Sequence, residues 1–179
     1  MSLFDTPAGF DDPIAMWMSC HRRIEKQLTT LAKLPAHLAD KGIDAEASKA
    51  AQAILRYFEN SAPQHHQDEE GNLFPLLENR ITDREDLARF RELRAQLEAD
   101  HRRMGPSWSK LRKPLQSIAD GLAKPLDARD VEAFRAIYAT HLPAEDEAIP
   151  DLAKRYLSTA DLDALGRSMA MRRGVAFPA

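Results

Sequence analysis

The sequence of 179 residues contains a single cysteine, Cys20, and no long apolar run. One cysteine excludes an internal disulfide and a cluster of thiolate metal ligands. No segment approaches the roughly 20 apolar residues that a helix needs to cross a membrane, so no membrane partner is expected. The N-terminal residues also lack the apolar centre of a secretion signal, and this absence predicts a cytoplasmic protein.

The sequence also lacks an excess of charge of one sign. Lysine and arginine together number 25, aspartate and glutamate number 28, and the formal net charge is -3. Because the two signs are interspersed and no basic block occurs, nucleic acid is not an expected partner. The length and the hydrophobic content of 44% are sufficient for a buried core in one domain.

Sustained alternation of apolar and polar residues, the pattern of a β-strand, is missing too. Instead, apolar residues recur every three or four positions in four long segments, which is typical of amphipathic helices. The first helix should begin after Asp12 and end at Pro35, and the second should be interrupted at Pro63. The four segments predict an all-α protein, an up-down-up-down antiparallel four-helix bundle.

The same pattern divides the chain into three parts. Residues 1–12 are expected to form an N-terminal arm, residues 13–157 the four-helix bundle, and residues 158–179 a C-terminal tail with a short helix. The tail contains the basic sequence MRRGVAF, which is a candidate either to pack on the outside of the bundle or to mediate association of the chain as a homodimer.

Each of the four predicted helices has one histidine on its apolar stripe. These histidines are His21, His65, His101 and His141. In the second and fourth helices a glutamate follows four residues later, at Glu69 and Glu145, and residues four apart lie on the same face of a helix. Burying imidazoles and carboxylates together is costly unless a cation compensates the negative charge. The arrangement therefore predicts a metal site in the core of the bundle.

Ligand counting favours two metal ions over one. If both glutamates bridge two ions, each ion receives two nitrogen and two oxygen donors. A bridging oxo or hydroxo group adds a fifth donor and leaves a sixth position open to a small molecule. A single tetrahedral zinc would leave donors unused. Imidazole and carboxylate donors suit iron, manganese or zinc.

The second helix leaves the register of its ligands open, because its sequence HHQDEE contains two pairs with the same spacing. His65 with Glu69 fits the apolar stripe of the helix. His66 with Glu70 is favoured instead when the two His-x-x-x-Glu copies are aligned on the proline that follows each of them. The pair that does not bind metal is expected to orient the ligands.

The order of these motifs resembles the hemerythrin-like, or HHE cation-binding, family. The similar part spans about residues 13–157, with one histidine in the first helix, HHQDEEGNLFP in the second, one histidine in the third and His-x-x-x-Glu in the fourth. The resemblance implies a four-helix bundle around a non-haem di-iron centre with bridging glutamates. The iron ligands it implies are His21, His65, Glu69, His101, His141 and Glu145, with His66 and Glu70 as alternates.

One difference from the oxygen-carrying hemerythrins concerns the third helix. Those proteins have a second histidine there, four residues from the first, and this chain has Leu97 and Gly105 at the two corresponding positions. A fifth histidine ligand is then missing unless His66 supplies it. This difference implies a site closer to those of the iron-repair and sensor members of the family.

These observations favour a cytoplasmic di-iron protein that binds dioxygen or a related small molecule, or handles iron. The alternative is a protein that reacts with nitric oxide or peroxide, in the repair of iron centres or in a stress response. A metal-free helical interaction module is a third hypothesis, which the inward-facing carboxylates oppose. The sequence leaves open whether the protein turns over a substrate as an enzyme.

Overall fold

The protein is helical over the part of the chain that the computed structural model describes, residues 9–177, and that range contains no strand. Four long helical stretches are followed by a short one. They are α1 (Pro13–Lys41), α2 (residues 45–80), α3 (Arg84–Ala119), α4 (Ala128–Tyr156) and α5 (Thr159–Arg172). Helices α1 and α3 each pack against both α2 and α4, which closes the four into a bundle. The all-α prediction is confirmed, while the predicted N-terminal arm lies mostly outside the described residues.

All four bundle helices begin at an aspartate whose side chain caps the first turn. The carboxylate of Asp12 accepts a hydrogen bond from the backbone amide of Ala15 at 3.1 Å, and Asp44, Asp83 and Asp127 accept equivalent bonds at the starts of α2, α3 and α4. These bonds satisfy amide groups that have no partner inside the helix. The predicted start of the first helix after Asp12 is therefore confirmed.

Helix α1 continues past Pro35, so the prediction that this proline ends it was wrong. A proline in a helix removes one internal hydrogen bond and crowds the preceding turn. On either side of it, however, Leu34 is buried in the core and Leu38 packs against it, and this contact outweighs the local cost. The helix ends at Lys41, where Gly42 adopts a positive φ of 71° that only glycine reaches without strain.

Helix α2 is built from α-helical and π-helical turns in alternation. Its α-helical segments are Ala45–Arg56, Ala62–Asp68 and Phe74–Arg80, and its π-helical turns are Tyr57–Ser61 and Glu69–Leu73. The interruption predicted at Pro63 thus takes the form of a π-helical turn directly before that proline. Pro63 and Pro75 both lie in the first turn of an α-helical segment, where a missing amide is tolerated best. Such wide turns occur frequently at functional sites.

Two apolar clusters form the core, with a polar layer between them. The first cluster includes Ile24, Ile54, Leu111 and Phe134, and the second includes Trp17, Phe74, Leu97 and Ile149. On each of the four bundle helices, the histidine singled out in the sequence falls between or at the edge of the two clusters. Helices α1 and α3 run from the second cluster to the first, whereas α2 and α4 run in the reverse order, so successive helices alternate in direction.

Helix α5 is tied to the middle of α2. The buried carboxylate of Asp68 accepts hydrogen bonds from Arg172 and Arg173, the latter at 2.6 Å. Arg172 also donates to the side-chain oxygen of Asn72 at 2.6 Å. The C-terminal helix therefore contacts the same stretch of α2 that carries the candidate ligands. None of the helices in residues 9–177 is long and apolar enough to cross a membrane.

The close packing of the chain's first described residues on α5 can be tested at Gly166. A Cβ atom there would lie 2.0 Å from the backbone oxygen of Phe10, so the backbone would have to move. We expect Gly166→Ala to lower the free energy of unfolding by about 1–3 kcal/mol. The helical Gly105, whose Cβ would meet no atom within 4 Å, is the control. Gly105→Ala should raise stability by about 0.5–1 kcal/mol in urea denaturation, and equal effects of the two variants would contradict the packing.

Candidate metal centre

The six candidate ligands lie in the polar layer between the two apolar clusters. Each bundle helix contributes to it. The residues are His21 on α1, His65 and Glu69 on α2, His101 on α3, and His141 and Glu145 on α4. Five of them are buried, and His101 is half-buried, although only 5% of its side chain is exposed. Of the two His-x-x-x-Glu pairs on α2, the pair that points into this layer is His65 with Glu69.

The donor atoms fall into two groups that share one glutamate. His21, His65, Glu69 and Glu145 each place one donor atom within 4.8 Å of the others. His101 and His141 form a second group of the same kind, again with Glu145. The first group thus offers four side chains, and the second offers three. Two groups that share a carboxylate are the arrangement expected of two neighbouring metal positions.

Both glutamates lie between histidines of the two groups. The Oε1 atom of Glu69 is 2.9 Å from Nε2 of His65, and its Oε2 atom is 3.4 Å from Nε2 of His101. The Oε2 atom of Glu145 is 3.4 Å from Nε2 of His21 and 3.2 Å from Nε2 of His141. Each carboxylate is therefore in a position to bridge the two groups.

Several inward-facing atoms of this layer have no hydrogen-bond partner among the described residues. They include Nε2 of His21, both ring nitrogens of His65, Oε2 of Glu69 and both carboxylate oxygens of Glu145. Buried polar atoms are almost always hydrogen-bonded, because an unpaired group loses its interaction with water without replacement. The unpaired nitrogens and carboxylate oxygens that face one another fit bound cations, to which each imidazole would offer one ring nitrogen.

The two glutamates have different electrostatic environments. Burial alone raises the pKa of Glu69, but the positive charge of His65 outweighs it and holds that pKa well below its usual value. Burial and the negative charge of Glu69 raise the pKa of Glu145 well above its usual value. Without a cation, Glu69 is therefore ionised and paired with His65, whereas Glu145 is protonated.

The pKa values of two candidate histidine ligands are shifted in opposite directions. Burial alone lowers the pKa of His65, but the charge of Glu69 reverses this and raises it well above the ordinary value. Burial and the nearby His101 lower the pKa of His141 to about 3. The His141 imidazole is thus neutral at physiological pH, which is the form that binds a metal.

Three groups that sequence reasoning missed lie beside the candidate ligands. The indole Nε1 of Trp17 donates a hydrogen bond to Oε1 of Glu69 at 2.6 Å. Asp146 lies 2.7 Å from Nδ1 of His21, and Asp100 lies 3.8 Å from Nδ1 of His141. Asp146 and Asp100 are sequence neighbours of candidate ligands, and only this proximity could have marked them. Trp17 precedes His21 by one helical turn and reads as a core residue.

The alternate pair on α2 lies beside the layer. The carboxylate of Glu70 is 2.7 Å from Nδ1 of His101. The ring of His66 stacks on that of His101, with centroids 4.0 Å apart and planes inclined by 19°. Neither residue belongs to the two donor groups. Both contact His101, which is the candidate ligand on α3.

The raised pKa of Glu145 predicts opposite effects of Glu145→Gln in the metal-free and metal-loaded protein. A group whose pKa is higher in the folded state contributes stability below its unfolded pKa and loses it as pH rises through the folded pKa. Glutamine cannot ionise, so in metal-free protein the variant should be more stable by at least about 1 kcal/mol at neutral pH, and the gain should shrink toward pH 4.5.

In metal-loaded protein the same variant should lower the melting temperature, because a donor is lost. The exposed Glu132, also on α4, is the control, and Glu132→Gln should show neither effect. Denaturant titrations at several pH values measure the first effect, and thermal melts measure the second. If Glu145→Gln changed stability in the same direction in metal-free and metal-loaded protein, the assignment of Glu145 to the centre would be contradicted.

Comparison with known proteins shows the family of the chain. The family model described as hemerythrin HHE cation binding domain matches residues 12–153, which include all six candidate ligands. An uncharacterized protein of Haemophilus influenzae is 27% identical over 168 residues, and the aligned part covers 94% of each of the two chains. Because the family match extends over most of the sequence and of the bundle, the chain belongs to the hemerythrin HHE cation-binding domain family.

Proposed function

We propose that this protein binds two iron ions in the polar layer of its bundle and uses them, in the cytoplasm, to bind dioxygen or a related small molecule or to handle iron. The observation that carries the proposal is the arrangement of the two glutamates. The two donor groups share Glu145, and the carboxylate of Glu69 lies between His65 of the first group and His101 of the second. Two bridging carboxylates and four imidazoles are a donor set that suits iron and also manganese or zinc. Iron in such a site supplies redox change and an open position for a small molecule.

The residues around the ligands support this function by fixing which nitrogen faces the centre. Nδ1 of His21 donates to Asp146, and Nδ1 of His101 donates to Glu70. An imidazole that donates from Nδ1 keeps the lone pair of Nε2 free for a metal ion. The Nε2 atoms of both histidines point toward the glutamates of the layer. The carboxylates therefore hold each ring in the tautomer that binding requires.

The apolar clusters and Trp17 contribute in a different way. The clusters cover the layer at both ends, and the low-dielectric surroundings strengthen every interaction between charges inside it. The hydrogen bond from Trp17 occupies one oxygen of Glu69 and leaves the other oxygen facing His101. The position of this carboxylate is thus set before a metal binds.

A second candidate function is the chemistry of nitric oxide or peroxide, in the repair of iron centres or in a stress response. The third helix favours it, because His101 is its one candidate ligand, with Leu97 and Gly105 at the positions where oxygen-carrying hemerythrins have a second histidine. Fewer protein donors leave more positions for a reactive small molecule. Rapid, repeated turnover of either compound by iron-loaded protein would favour this candidate, whereas binding without turnover would favour the first.

The metal content of protein purified without added metal tests the proposal directly. We expect about two irons per chain by elemental analysis. An absorption spectrum recorded in air should show near-ultraviolet bands of an oxo bridge, which change on anaerobic reduction and return with air. Protein that contains no iron, or a single zinc, would contradict the di-iron proposal.

Replacement of the bridging carboxylates tests the assignment of ligands. Glu69→Gln and Glu145→Gln each remove a charged donor that faces both groups, so iron content should fall at least about tenfold under limiting iron. Glu132→Gln, on the exposed face of α4, should retain the iron content of the natural sequence. Circular dichroism of each variant checks that the bundle is folded. Unchanged iron content in both site variants would contradict the assignment of these glutamates as metal ligands.

A further inference from the structure

A cleft of about 190 Å³ lies between α2, α3 and α4. Its walls are mainly apolar. The rings of Phe58, Trp108 and Phe134 lie with their centroids 5.1 to 5.6 Å apart. Two imidazoles, those of His66 and His101, also line it. A pocket with walls of this kind disfavours ions, which would lose their hydration, and suits a small uncharged molecule.

The cleft reaches the centre at the half formed by His101 and His141. His101 lines the cleft and is also a member of the three-donor group. The four-donor group contains none of the residues that line the cleft. A molecule in the cleft is therefore next to the half of the centre to which His101 belongs.

The space in the cleft depends on Gly105. This residue follows His101 by four positions and so lies one turn further along the same face of α3. A Cβ atom at this position would meet no heavy atom within 4 Å, and Gly105 lines the cleft. A larger side chain would therefore extend into open space beside His101 without displacing the backbone.

His66 adds a polar group to the apolar wall. Its Nε2 atom is buried and has no hydrogen-bond partner among the described residues. Its ring is held by stacking on His101, with the centroids 4.0 Å apart. Because His66 belongs to neither donor group, this nitrogen is available to a molecule in the cleft rather than to the metal.

We propose that this cleft is the ligand pocket of the centre, and that a small uncharged diatomic molecule, of the size of dioxygen or nitric oxide, occupies it beside His101. Gly105 provides the space, and Nε2 of His66 donates a hydrogen bond to the molecule. The inference rests on the proposed di-iron function. To that function it adds the half of the centre at which the ligand binds and the residues that select the size of the ligand.

The decisive experiment compares Gly105→Leu with Gln96→Leu, which places the same side chain at an exposed position of α3, in iron-loaded full-length protein. The probe is nitric oxide, and its association rate with the reduced protein is measured by stopped flow. Leucine at position 105 should fill the cleft and slow association at least about tenfold at unchanged iron content, because its side chain occupies the route to His101. Gln96→Leu, at a position that does not line the cleft, should leave the rate within about twofold. Equal rates in both variants and the natural sequence would overturn the proposal.

Crystals pressurised with xenon give a readout that does not depend on the metal, since xenon enters apolar cavities. Xenon should occupy the cleft in the natural sequence and in Gln96→Leu, and it should be absent there in Gly105→Leu. Xenon absent from the cleft of the natural sequence would overturn the proposal. Failure of the proposed function is seen separately, as protein that lacks iron before any gas is added.

The role of His66 is tested with His66→Phe. This variant keeps a ring that can stack on His101 but cannot donate a hydrogen bond. Loss of one hydrogen bond should raise the dissociation rate of nitric oxide about tenfold and leave the association rate nearly unchanged. His66→Gln, which retains a donor, should restore part of the slow dissociation. Dissociation rates that are equal in all these proteins would overturn the assignment of His66.

Discussion

The burial of two carboxylates and four imidazoles in one layer is the constraint on which the rest of the structure depends. A charged carboxylate in an apolar interior is costly unless a positive charge and hydrogen bonds compensate it. His65 and Trp17 do so for Glu69, whereas Glu145 has no hydrogen-bond donor among the described residues. In the proposed function a cation supplies what is missing at Glu145. The apolar clusters then serve both to fold the bundle and to isolate the centre from water.

The helices could be predicted from the sequence because each buries one face, and the periodicity of apolar residues records which face it is. Caps such as Asp12 are local too, since the carboxylate bonds to an amide three residues away. The passage of α1 through Pro35 could not be predicted, because it depends on Leu34 and Leu38 packing against residues distant in sequence. The π-helical turns of α2 also escaped prediction, since no residue type marks them.

The candidate ligands are conspicuous in the sequence because histidine and glutamate interrupt apolar stripes. The groups that orient them are not, because their partners lie far away along the chain. Trp17 and Glu69 are 52 residues apart, and His21 and Asp146 are 125 apart. In one dimension, Trp17 resembles any core residue and Asp146 resembles a solvated charge. The choice between the two registers of α2 likewise needed the three-dimensional arrangement, which directs His65 and Glu69 inward and leaves His66 and Glu70 against His101.

The attachment of α5 to α2 bears on where the functional unit ends. The family match stops at residue 153, before α5 begins. Asp68, which directly precedes Glu69, is nevertheless buried and takes its hydrogen bonds from Arg172 and Arg173. A chain shortened to the family boundary would keep every candidate ligand but would leave a buried carboxylate without its cations, next to the π-helical turn that carries Glu69. The smallest unit that holds the centre in shape is therefore longer than the unit that sequence resemblance delimits.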